Sequence, residues 1–256
     1  MKEEYTVSKR QRTILTLLTV LLVATAAAPG VSAMHIMEGY LPPALCAVWG
    51  VVCLPFLVIG AGRIKAKVGE QNQNLLLLAL CGAFVFVISS LKIPSVTASC
   101  SHMTGTGLGA ILFGPAATSV LGLIVLVFQA LLLAHGGLTT LGANCFSMAV
   151  AGPLAAYVLY KGLQAAKVNR RVSVFLAAFL GDLFTYCVTS VQLAVAHPAP
   201  EGGVGTALVK FLGVFAPTQL PLAVVEGILT VVIVIALETY ASRELRAVGY
   251  LGGNEI

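Results

Sequence analysis

The feature that most constrains this chain is the recurrence of apolar runs separated by short basic clusters. Runs of ~20 residues match the hydrocarbon thickness of a bilayer. In that layer only helices and closed barrels satisfy every backbone N–H and C=O. Of the 256 residues, 58% are hydrophobic and 10% charged, whereas a soluble domain carries about 25% charged residues. The chain therefore cannot cover a water-exposed surface, and the expected fold class is an all-α integral membrane protein. The formal charge of +5 lies in the clusters between the runs. It reads as membrane orientation, not as nucleic-acid binding.

The basic clusters also set the topology. Lys2, Lys9, Arg10 and Arg12 precede an apolar run over about residues 14–28, the length of a signal-peptide core and short for a span. Pro29-Gly30 ends the run, and Val31-Ser32-Ala33 supplies small residues for a cleavage site. Residues 1–33 are read as a signal peptide and 34–256 as the mature membrane domain; the alternative is an uncleaved anchor. Arg63, Lys65 and Lys67 form the next cluster, and Lys167, Arg170 and Arg171 another. If both face the cytoplasm, an even number of crossings separates them. Evenness requires the apolar stretch 105–133 to break at Gly114-Pro115, where proline discontinues a helix. Seven spans follow, over about 43–61, 75–91, 105–113, 115–133, 139–163, 172–196 and 212–237; the piece before Pro115 is short or re-entrant. Arg243 and Arg246 place the C-terminus inside and the mature N-terminus outside, as for a multi-pass protein of a bacterial-type cell (inner) membrane.

Cleavage after Ala33 would create a chelator. The Met34 amine, the His35 amide nitrogen and the His35 Nδ1 close fused rings around one ion, a planar nitrogen field suited to Ni(II), Cu(II) and Co(II). A fourth donor is then needed. The histidines are His35, His102, His135 and His197, all on the outer side in this topology. His102, in a Ser/Thr/Gly-rich break at a helix start, is the leading choice. His135, beside Gly136-Gly137, reads as an interfacial polar residue, and His197, just before Pro198 and Pro200 in a loop, as a solvated one. Of six cysteines none forms a C-x-x-C pair; Cys100, two residues from His102, is the least favoured ligand. Glu38, Ser101 and Asn144 are placed to hydrogen-bond the metal-holding groups. Gln129, Asp182, Gln192, Gln219 and Glu226 lie within spans, where such groups face the bundle interior or a wet path. Phosphate-loop, G-x-S-x-G, H-E-x-x-H and C-x-x-C-H motifs are absent.

Four segments resemble one family: Met34-His-Ile-Met-Glu-Gly-Tyr-Leu-Pro, Ser99-Cys-Ser-His-Met-Thr-Gly-Thr-Gly, His135-Gly-Gly-Leu-Thr-Thr-Leu-Gly-Ala-Asn and Pro217-Thr-Gln-Leu-Pro-Leu-Ala-Val-Val-Glu-Gly. In this order they resemble the CbiM-type substrate-binding (S) component of energy-coupling-factor cobalt transporters. The resemblance implies Co²⁺ as transported substrate, with no permanent cofactor, and a ligand set of the Met34 amine, the His35 amide and imidazole, and the His102 imidazole. It also implies a transmembrane coupling subunit, ATP-binding cassette subunits and a small accessory membrane subunit as partners, and cobalamin synthesis as the destination of the metal. Nickel-specific relatives share the chelate, so Ni²⁺ is the alternative. A membrane-embedded metalloenzyme and a passive channel are the readings from other classes.

Overall fold

The computed structural model describes residues 32–33, 35–68, 72–94 and 99–251. Residues 1–31 of the expected signal peptide, and Met34 with its amine, lie outside the described residues.

The described chain is almost wholly helical: α1 (Pro43–Val68), α2 (Asn72–Ser90), α3 (Thr106–Phe113), α4 (Pro115–Leu133), α5 (Leu141–Ala165), α6 (Arg170–Ala196), α7 (Gly203–Tyr240) and the short α8 (Ser242–Ala247). Five of these, α1 and α4 to α7, are long and apolar enough to cross a bilayer; the apolar part of α2, Asn74–Ser90, is shorter. The protein is thus a multi-pass membrane protein.

The seventh expected crossing is half helix and half loop. α3 has eight residues, all buried, and at 1.5 Å per residue spans only about 12 Å. It ends at Gly114, where the chain turns beside Arg63 and starts α4 with Pro115. The break predicted from the basic clusters is therefore real. The rest of the crossing is made by the non-helical segment 99–105, which enters from the opposite end.

That segment begins as strand β3 (Ser99–Ser101). It lies between β2 (Ile93–Pro94), antiparallel, and β1 (Ser32–Ala33), parallel. Ser32 pairs with Ser99 and Ala33 with Cys100. The last long helix differs from expectation: α7 starts at Gly203 and runs 38 residues through Pro217 and Pro221. Each proline removes one helical hydrogen bond. The Tyr186 hydroxyl of α6 donates to the Leu212 carbonyl in the turn before Pro217, tying α7 to α6 at this level.

Small residues set how closely the helices approach. A Cβ on Gly60 of α1 would sit 1.9 Å from the Ala116 carbonyl oxygen of α4, so only glycine permits this crossing. Gly60→Leu is expected to destabilise the protein by about 1–3 kcal/mol. Gly62→Leu, at a position with nothing within 4 Å of its Cβ, should change little. Denaturant unfolding of both variants in detergent compares them.

Candidate metal centre

Three loops meet at the end of the bundle remote from Arg63. The 35–40 loop precedes α1, the 102–105 loop precedes α3, and 134–140 joins α4 to α5. Each carries one histidine into the interior, and His35, His102 and His135 are all buried. One nitrogen from each lies within 4.8 Å of the others.

The tautomers follow from the hydrogen bonds. The His102 Nδ1–H donates to the Met103 carbonyl at 2.8 Å, so Nε2 carries the lone pair. That Nε2 is 2.6 Å from His35 Nδ1. Two nitrogens bound to one ion at adjacent coordination positions stand about 2.9 Å apart for metal–nitrogen bonds of ~2.0–2.1 Å, so little movement converts the contact into shared ligation. The two rings stack at 4.5 Å, and His135 meets both edge-on at 4.4 and 4.8 Å. Among the described residues, neither ring nitrogen of His135, nor the His35 Nε2, has a hydrogen-bond partner. Unsatisfied buried nitrogens carry a desolvation cost that a bound cation removes. Burial, reinforced by the neighbouring imidazoles and Lys92, holds His35 and His135 well below the usual histidine pKa. Both therefore stay neutral near pH 7, the form that ligates.

Side chains from the helices hold the loops. Asn144 of α5 clamps Ile36 from both sides: its Oδ1 accepts from the Ile36 N–H at 2.7 Å, and its Nδ2 donates to the Ile36 carbonyl at 3.0 Å. The Thr140 hydroxyl donates to the same carbonyl at 2.6 Å. Glu38 is exposed and accepts from the Thr139 N–H at 3.2 Å, and these Thr139 bonds lower its pKa. On the other loop, Gln219 of α7 donates to the His102 carbonyl at 3.1 Å and to Asp182 of α6 at 2.5 Å. Glu226 accepts from the Thr104 N–H at 2.6 Å and from its hydroxyl at 3.0 Å. Ser101 shares a hydrogen bond of 2.7 Å with Thr218. Of the intramembrane polar residues, Asn144, Gln219 and Glu226 hold the histidine loops, whereas Gln129 donates to Ser89 and Gln192 to the Ala143 carbonyl.

Of the predicted ligands, His35 and His102 come together, and Met34 lies outside the described residues. His197 does not join them: it is exposed and hydrogen-bonds the Tyr40 carbonyl at 2.8 Å. The backbone of Cys100 lies in β3, and its side chain is outside the described set. His135, ranked low from its Gly-Gly context, joins the cluster instead. Ala134 ends α4 in the left-handed conformation, φ 46°, and the reversal turns His135 inward. Gly137 lets the loops touch, since a Cβ there would lie 2.6 Å from the Glu38 Cα.

Two substitutions test this scaffold. Asn144→Ala should weaken metal binding about 10–100-fold, the usual cost of removing a group that orients a ligand. Gly137→Val should do likewise by pushing the 35–40 loop off its seat. Titration of the purified variants with Co²⁺, alongside circular dichroism showing an intact helical bundle, reads both effects.

Comparisons with known proteins place the chain in a family. A family model described as "Cobalt uptake substrate-specific transmembrane region" matches residues 35–244. The cobalt transport protein CbiM of Lachnoclostridium phytofermentans is 61% identical over 246 residues, covering 96% of this chain and 98% of the relative. The cobalt transport protein CbiM of a Nostoc species is 55% identical over 248 residues, covering 96% and 94%. A crystal structure of a truncated transition metal transporter superposes with a TM-score of 0.71 at 28% identity, covering 80% of this chain and 99% of the other. A match that runs from the first histidine loop to the last helix makes the chain a member of the CbiM family of cobalt-uptake transmembrane proteins, a transporter component and not an enzyme.

Proposed function

We propose that this protein is the metal-binding subunit of an ATP-driven, energy-coupling-factor importer that captures Co²⁺ at the outer face. Residues 1–33 are removed, and the new Met34 amine joins the His35 amide nitrogen, the His35 Nδ1 and the His102 Nε2 around the ion. His135 stands edge-on to both rings with two free nitrogens and offers a further donor above that set. The observation that carries this reading is the 2.6 Å approach of His35 Nδ1 to His102 Nε2 beside a third buried imidazole. Nitrogen donors favour late transition ions over Mg²⁺ and Ca²⁺, which prefer oxygen. Separate ATP-binding cassette subunits supply hydrolysis, a transmembrane coupling subunit transmits it, and a small accessory membrane subunit completes the complex. The cobalt then serves cobalamin synthesis. The basic clusters support a cytoplasmic C-terminus and an outer metal loop.

The main test is His35→Ala, which should abolish cobalt accumulation in cells producing the whole transporter. Normal accumulation would remove the proposal. Intact mass of protein from native membranes should correspond to a chain starting at Met34; a chain starting at residue 1, or trimmed at another bond, would deny the amine donor. Competition between Co²⁺ and Ni²⁺ on purified protein decides the preferred metal.

Binding should also release protons. With the imidazoles already neutral, the protons come from the amine, whose ordinary pKa is about 7.7–8.0, and from the amide, giving about two per ion at pH 7. Affinity should therefore fall as pH is lowered from 8 to 6. Isothermal titration in buffers of different ionisation enthalpy counts the protons.

A further inference from the structure

The other end of the bundle holds a feature that metal capture leaves unused. A cavity of about 420 Å³ opens between α1, the Gly114 turn, α5, the start of α6 and the segment after α8. Three cationic side chains line it, Arg63, Lys161 and Arg170, and no carboxylate does. Arg170 reaches Glu238 only at 3.9 Å in a solvent-exposed contact, a kind worth little. Arg63 and Lys161 have no ion-pair partner among the described residues. Two aromatic rings steady the cations: Lys161 Nζ lies 5.6 Å from the Tyr157 ring centroid, and Arg170 Cζ 5.2 Å from that of Tyr250. The amide nitrogen of Gln164, which also lines the cavity, is shielded from solvent and has no hydrogen-bond partner.

The inward-positive bias of membrane proteins explains basic residues at the ends of spans. It does not explain their convergence from three helices on a walled cavity, where like charges repel, nor a shielded donor aimed at nothing. Both are satisfied by an anion with several acceptor oxygens and more than one positive contact, which is the chemistry of a phosphate group.

We infer that this cavity binds the phosphate headgroup of an anionic phospholipid. The position argues for a lipid source, because the cavity lies beside the C-terminal turns of α5 and the start of α6, and basic pockets between transmembrane helices hold such headgroups. Close by, Arg171 stands over an apolar groove of about 310 Å³ walled by Phe175, Ile228 and Val232, a bed suited to an acyl chain. A headgroup held by Arg63, Lys161 and Arg170 ties α1, α5 and α6 together at this end of the bundle.

The test uses the full chain purified in non-ionic detergent, with phosphatidylglycerol, phosphatidylcholine or inorganic phosphate added. The double variant Arg63→Gln, Lys161→Gln is compared with wild type and with Lys210→Gln, which removes a cation at the opposite end. Phosphatidylglycerol should raise the thermal midpoint and stay bound in native mass spectra, and phosphatidylcholine should not. The double variant should bind phosphatidylglycerol roughly tenfold more weakly or worse, and Lys210→Gln should match wild type. Should the double variant fail to fold, Lys161→Gln alone, at an exposed side chain, carries the comparison. An equal response to phosphatidylglycerol in wild type and variant overturns the inference, as does no response in wild type. Inorganic phosphate that reproduces the shift in wild type alone assigns the cavity to a soluble anion and overturns the lipid source. Loss of association with a partner subunit, with lipid binding unchanged, overturns it in favour of a protein contact.

Discussion

Backbone that leaves helical geometry inside a bilayer finds no water to bond, so each exposed N–H and C=O needs a partner supplied by the protein. The 102–105 segment exists under that constraint. Gln219 takes the His102 carbonyl and Glu226 takes the Thr104 N–H, so His102 is carried into the bundle on a loop that would otherwise be too costly to bury. Asn144 does the same for the 35–40 loop, with two hydrogen bonds to Ile36. Asn144, Gln219 and Glu226 are therefore the supports of the histidine cluster, and their burial cost is offset by the bonds they make to these loops.

The arrangement also divides the protein between its ends. One end converges on neutral imidazoles, with no acidic side chain in the cluster. The other gathers cations around a cavity beside the Gly114 turn. α3 links the two: its N-terminus follows the His102 loop, and its C-terminus abuts the basic end. Glycine contacts such as Gly60 against Ala116 fix how closely the helices carrying these ends approach. α1 is the outlier, with only 11% of its apolar window buried, so most of its surface faces lipid or a neighbouring subunit.

Much of the membrane architecture was legible without coordinates because the bilayer filters sequences so strongly. Lys67 and Lys167 on one side forced a break at Gly114-Pro115, and the turn is there. The last span, expected over 212–237, begins earlier, at Gly203, because the polar and glycine-rich stretch ahead of Leu212 still folds as helix and continues through Pro217 and Pro221. His35 and His102 were identified from chemistry alone: a histidine following a cleavage signal, and another in a polar break. His135 was undervalued because its inward turn depends on the left-handed Ala134 and on Gly137 packing against Glu38, which no local pattern announces.

By itself the amino-acid sequence determined the class of the molecule, the break at Gly114-Pro115 and the donor atoms it can offer a metal. These depend on composition, on period and on charge placed along a line, all readable in one dimension. Only the tertiary structure decided which donors meet. Hydrogen bonds from Asn144 to Ile36 and from Gln219 to the His102 carbonyl seat the two loops so that His35 meets His102, and contacts between residues tens of positions apart are fixed by packing and hydrogen bonding across helices, not by neighbours in the chain.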